Sequence, residues 1–221
     1  MKNNNMALSQ QPHPVDRSKT IVFWAAVIAG VLPAIWLIWA FFTNNLGTHP
    51  VSTINNVTGR SAMILLLASL AFTPLNTMFD LHWEFRVRRA LGLWAFAYAS
   101  LHFLNFVGLD YGFDIQFMQA DGIATMPYII VGFVALVLLV PLALTSNTWS
   151  FKRLGYRGWR RLHSIVYLIA VLVMIHFFLQ AKVAERWEPF LYSLVLALLL
   201  IVRIPAVSRR LAGIRGGQQR K

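Results

Sequence analysis

Six histidines punctuate the chain: His13, His49, His82, His102, His163 and His176. The first three lie in polar stretches and read as ordinary solvated residues. The other three fall in segments as apolar as "LGLWAFAYASLH" (91–102) and "RLHSIVYLIAVLVMIH" (161–176). A neutral imidazole can ligate a metal, relay a proton, or simply hydrogen-bond a neighbouring helix. Three of them in two apolar segments point beyond simple packing. Two neutral imidazoles facing each other in an oily site are what a six-coordinate b-type haem requires: two nitrogens, no covalent tether and an apolar pocket. The chain has no cysteine, which excludes disulfides, iron–sulfur clusters, zinc–thiolate sites and cysteine-tethered haem.

Spacing narrows the pairing. His163 and His176 are thirteen residues apart, about 20 Å along a helix. The two axial nitrogens of one iron sit only about 4 Å apart, at metal–nitrogen distances near 2 Å. One of the two must therefore pair with His102. His102 lies thirteen residues past Arg89, and His176 fifteen past Arg161, whereas His163 lies only two past Arg161. Equal depth favours His102 with His176 as iron ligands, toward the outer side. It places His163 near the inner interface, as an alternative ligand or a second cofactor site.

These residues need helices that cross a membrane. The chain is 57% hydrophobic and 13% charged, and a crossing helix takes roughly 20 mainly apolar residues. Six stretches qualify: 21–42, 61–79, 90–109, 126–145, 162–181 and 188–206, the last the shortest in its uncharged core. Pro33 predicts a kink within the first. The expected fold is an all-α, six-transmembrane-helix bundle. A polar segment, 1–20, precedes the haem-binding bundle at 21–206, and a basic tail, 207–221, follows it. The N-terminus lacks the pattern of a cleaved signal peptide. The connections at 110–125, acidic and without Lys or Arg, and at 146–163 are expected to be loops.

The net charge of +12 is distributed like a topology signal. With six spans, all but Arg60, Lys182 and Arg186 of the 20 Lys and Arg fall on the side holding both termini. The positive-inside rule makes that side cytoplasmic. The basic face then contacts anionic lipid, and nucleic acid is not an expected partner. Arg88, Arg89, Arg160 and Arg161 frame the inner mouth. They have two readings, topology determinants or contacts to propionate or phosphate. Arg60, on the arginine-poor side, either meets an outer propionate or acidic partner or snorkels at a helix end. Gly92, Ala95, Ala97, Ala99 and Ser100 permit close approach of a flat ring or of another helix.

Four motifs together carry a resemblance: "GVLPAIWLIWAFF", "TGRSAMILLLASLAFTPL", "RRALGLWAFAYASLH" and "RLHSIVYLIAVLVMIH". In this order the chain resembles the MsrQ (YedZ) family, from about 21 to 205. These are the haem-binding membrane subunits of a bacterial periplasmic methionine sulfoxide reductase system. MsrQ is in turn similar to the ferric reductase transmembrane domains of NADPH oxidases and metalloreductases. The resemblance implies haem b and electron delivery to MsrP, a periplasmic molybdopterin enzyme that repairs oxidised proteins. The family's three membrane histidines fall on His102, His163 and His176. It is also ascribed FMN, with membrane quinol or a cytoplasmic flavin reductase as donor. Arg88, fourteen residues before His102, stands where two-haem relatives carry a second histidine. That argues against a complete second bis-histidine haem and leaves His163 for a flavin, a propionate or a quinol head group. No methionine sulfoxide site is evident, so this chain alone is not expected to reduce that substrate.

Two rivals differ in class. One is a metalloreductase or cytochrome b with another outer acceptor. The other is a transporter with a histidine proton relay. The relay would want acidic partners within the spans, yet all eight Asp and Glu lie outside the six apolar cores.

Overall fold

In a computed structural model the described residues, which are 17–79, 85–123, 125–183, 186–204 and 206–207, are mostly helical. Most of the polar N-terminal segment with His13, the turn with His82, and the basic tail from 208 onward lie outside them. The helices are α1 (Arg17–Phe42), α2 (Pro50–Phe79), α3 (Phe85–Asn105), α4 (Ile115–Phe117), α5 (Pro127–Leu144), α6 (Thr148–His163), α7 (Val166–Gln180) and α8 (Trp187–Val202).

Five helical stretches are long and apolar enough to cross a bilayer: α1, α2, α3 with its extension to Asp110, α5, and the run from α6 through α7. The sixth, α8, has 16 residues, short of the roughly 20 of an upright crossing. Large apolar side chains such as Trp24, Ile28, Ile35 and Trp39 face outward. In water such a surface would aggregate; in lipid it is the solvated face.

The bundle is organised around α3. It packs most extensively on α2 and also on α1 and α5, while α7 packs on α5, α8 and α2. Leu66, Leu70, Leu91, Ala95, Ile169 and Ala170 are buried where these helices meet. The small residues of α3 serve this packing: Ala95 is buried, and Gly92 faces the Ser69 hydroxyl.

Pro33 opens the hydrogen-bond ladder of α1, as its missing N–H requires. The Tyr98 hydroxyl enters the gap, donating to the Gly30 carbonyl at 2.7 Å and accepting from the Ala34 N–H at 2.9 Å. Those two groups would otherwise bond each other, so a side chain from α3 bridges the break. Gly30 also lacks the Cβ that would overlap the Trp94 ring.

Three connections are more ordered than expected. The connection 43–60, between the first two apolar stretches, is half helix, because Pro50 starts α2 ten residues before Arg60 and proline suits a first helical turn. The stretch 110–125, expected to be a loop, holds α4 between π-helical turns at Phe106–Asp110 and Met118–Ile123. The Asp114 side chain caps α4 by accepting from the Phe117 N–H at 2.9 Å. The connection 146–163 holds α6, capped by the Asn147 side chain on the Ser150 N–H at 2.8 Å. Its alternation of Trp149, Leu154 and Tyr156 with Lys152, Arg153 and Arg157 suits a helix lying in the headgroup region. Gly155, at φ 66°, breaks it midway.

Candidate functional site

His102, near the end of α3, and His176, in α7, meet across the bundle. Their ring centroids are 6.2 Å apart and their planes cross at 84°. The two rings are bonded alike. His102 Nδ1 lies 3.0 Å from the Asn55 carbonyl oxygen of α2, and His176 Nδ1 lies 2.7 Å from that of Tyr128 in α5. A carbonyl can only accept, so each Nδ1 carries the proton and each Nε2 keeps its lone pair. That tautomer and backbone anchor are those of a metal-ligating histidine. Two metal–nitrogen bonds of about 2 Å, with about half a ring at each end, span about 6 Å.

Glycines lie against both rings. A Cβ on Gly59 would stand 3.1 Å from His102 Nδ1, and one on Gly132 would stand 2.7 Å from His176 Nδ1.

The donor set fits a porphyrin better than a bare ion. Among the described residues no group of three or more His, Asp or Glu converges. A protein zinc site takes three or four such ligands. A porphyrin brings four nitrogens of its own and asks for two axial ones.

His163 is built differently. It is the last residue of α6, so it precedes the crossing helix α7 that was expected to contain it. Its ring stacks on Trp159, centroids 3.9 Å apart at 22°. Its Nε2 lies 3.0 Å from the Thr145 hydroxyl, which lies 2.7 Å from the Pro141 carbonyl. The shorter contact, to a pure acceptor, takes the single hydroxyl proton. The Thr145 oxygen therefore accepts from His163 Nε2–H, leaving that nitrogen no lone pair for a metal.

A cavity adjoins His163, lined among others by Arg88, Arg89, Gly92, Phe96 and Trp159. The Arg88 guanidinium reaches the Thr73 hydroxyl at 3.5 Å. Arg160 and Arg161 are not among the lining residues and lie exposed on α6. On α2, Arg60 pairs with Glu188 of α8 at 2.6 Å.

The aromatic residues have separate tasks. Trp94 and Tyr98 serve α1, Phe103 packs on Phe133, Phe177 on Tyr192, and Arg186 lies over Phe178. The sequence reading missed the Asn55 and Tyr128 carbonyls, Gly59 and Gly132 as ring contacts, and Thr145. One signal was available: a glycine within a helix costs up to about 1 kcal/mol relative to alanine, and lone glycines interrupt both α2 and α5.

The model of the ferric reductase like transmembrane component matches residues 58–174, which include His102 and His163 and end two residues before His176. Three curated proteins of similar sequence are each named protein-methionine-sulfoxide reductase heme-binding subunit MsrQ. That of Rhodospirillum rubrum is 43% identical, covering 86% of this chain and 90% of its own. That of Herminiimonas arsenicoxydans is 39% identical, covering 87% and 88%. That of Rhizobium meliloti is 43% identical, covering 85% and 84%. Identity at this level across nearly the whole bundle, with the ferric reductase match inside it, makes the chain a member of the MsrQ family of ferric reductase-like membrane proteins.

Proposed function

We propose that this chain is a b-type haem subunit of the bacterial inner membrane, with six spans and both termini cytoplasmic. It delivers electrons outward to MsrP, a periplasmic molybdopterin methionine sulfoxide reductase that repairs oxidised proteins. The observation that carries the reading is the His102–His176 pair, 6.2 Å apart with both Nδ1 atoms engaged by backbone carbonyls. His102 and His176 would hold the iron through Nε2. A haem so held supplies one-electron redox chemistry. With both histidines committed to the iron, the site would leave no open position for oxygen, which suits electron transfer over oxygen binding.

The inner cavity is the entry side of the proposal. Arg88 and Arg89 offer guanidinium forks to a phosphate, and Trp159 holds His163 at the cavity wall. These residues would hold FMN, which supplies a junction between two-electron donors and one-electron steps. The His163 Nε2–H bond to Thr145 favours this use over iron ligation. Membrane quinol or a cytoplasmic flavin reductase is the donor in this scheme. Arg160, Arg161 and the other cations of α6 face anionic lipid. Arg60, paired with Glu188, remains close enough to the outer surface to meet an acidic group of the partner.

The test is the reduced-minus-oxidised optical spectrum of the wild type beside His102→Ala, His163→Ala and His176→Ala. Wild type and His163→Ala should show b-type bands, and the other two should lose them. A colourless folded wild type removes the redox reading. A His163→Ala protein without haem beside a fully loaded His176→Ala protein overturns the pairing. Co-purification with a molybdopterin enzyme separates this function from reduction of an outer metal ion.

A further inference from the structure

The same local device stands behind both haem-site histidines. His102 bonds the carbonyl of Asn55, and its ring lies against Gly59; His176 bonds the carbonyl of Tyr128, and its ring lies against Gly132. In each case the glycine follows the acceptor by four residues within one helix. That spacing has a geometric meaning. A helical carbonyl points toward the C-terminus and bonds the N–H four residues on. The Cβ of that later residue tilts back toward the N-terminus and overhangs the carbonyl. Glycine removes the overhang, and the carbonyl's second lone pair becomes reachable from the side.

We propose that Gly59 and Gly132 are positioning residues for the redox centre. Each opens a one-turn seat in which an imidazole both rests and donates Nδ1–H to the backbone. The seats do two things that packing alone would not. They fix the rotation of each ring about its own axis, and so the crossed orientation of the planes at 84°. They also hold a hydrogen bond on each Nδ1, which makes the imidazole a stronger electron donor. A stronger donor stabilises the ferric state and lowers the midpoint potential. The two seats are unequally tight. The added Cβ would stand 3.1 Å from the ring nitrogen at Gly59 and 2.7 Å at Gly132. Alanine at 132 must therefore displace its ring further than alanine at 59.

This inference rests on the haem reading, and its experiment keeps the two apart. Gly59→Ala, Gly132→Ala and, as control, Gly158→Ala are purified in detergent. Residue 158 sits on α6, where a Cβ meets only Leu154 at an ordinary 3.7 Å. Haem content, midpoint potential and the ferric electron paramagnetic resonance spectrum are measured for each, since the low-spin g values respond to the angle between ligand planes. Gly59→Ala should keep its haem, with a raised potential and a shifted spectrum. Gly132→Ala should show the larger change in both, up to loss of haem from a protein that still melts cooperatively. Gly158→Ala should match wild type. Wild-type potential and spectrum in both seat variants, or an equal shift in the control, overturns the proposal. A wild type without b-type bands fails the haem reading instead.

Discussion

The Arg203 guanidinium, at the end of α8, donates through Nη2 to the Leu70 carbonyl of α2 at 2.5 Å. The Leu70 carbonyl is available because the residue four positions later is Pro74, which has no N–H to give it. A second N–H of Arg203 bonds the Tyr167 hydroxyl, and the guanidinium lies 5.0 Å above the Tyr167 ring. The cation thus ties α8 to α2 and α7 and satisfies a backbone group that lipid cannot. Arg203→Leu should lower stability by about 1–3 kcal/mol, the range for a hydrogen bond to a charged group or a carbonyl left bare. In a Pro74→Ala background, where the helix regains its own N–H, the loss should shrink. Thermal melts of the four proteins in detergent form the cycle, and strict additivity would rule out this link.

Tyr98 predicts a loss of stability separate from function. Its hydroxyl bridges the opened ladder at Pro33, and the side chain is 1% exposed. Tyr98→Phe leaves the buried Gly30 carbonyl and the half-buried Ala34 N–H without their partner. The expected destabilisation is about 1–3 kcal/mol, read as a lower melting temperature. The haem bands should be unchanged, because the hydroxyl faces α1. A loss of haem with an unchanged melting temperature would assign Tyr98 to the redox site instead.

Thr145 sets His163 apart from the His102–His176 pair. It accepts His163 Nε2–H, whereas both rings of that pair are anchored through Nδ1. Thr145→Val keeps the shape and removes the acceptor. The variant should retain flavin more weakly by about fivefold, corresponding to a net hydrogen bond of about 1 kcal/mol. Its haem spectrum and potential should equal those of wild type. Flavin released on denaturation and titration of the stripped protein with FMN provide the measurement. Unchanged FMN affinity would detach Thr145 and the tautomer of His163 from the inner cofactor.

Much of this arrangement could be read from residue order. Counting from the inner arginines placed His102 and His176 at one depth because helix rise is constant, and their rings do meet. Hydropathy located the long apolar helices because lipid imposes a length. What escaped depends on which helices become neighbours. Nothing in "TINNVTG" or "PYIIVG" names the ring that its backbone will receive, since an acceptor carbonyl has no sequence signature. The helix α6 escaped because its charge density resembles a loop; only its alternation of aromatic and basic residues separates the two. Arg203 sits at a helix end, where an arginine ordinarily reaches for headgroups, but Pro74, 129 residues earlier, had prepared a partner inside the protein.

The orientation of the short last helix is open to a direct test. Glu188, in the first turn of α8, meets Arg60, and Arg203, just after its end, meets Leu70. Along α2, Leu70 lies ten residues after Arg60, toward the helix C-terminus. The run from Glu188 to Arg203 therefore follows α2 in the same direction, and under the proposed topology it is a sixth crossing that ends at a cytoplasmic C-terminus. The absence of cysteine makes single-cysteine labelling clean. Thr48→Cys, in the exposed turn before α2, should react with a membrane-impermeant maleimide in intact spheroplasts. Gln218→Cys should react only after the membrane is opened. Labelling of residue 218 from the outside would return α8 to the face on which it started. It would also reverse the charge argument for the last segment, because its basic residues would then stand on the arginine-poor side.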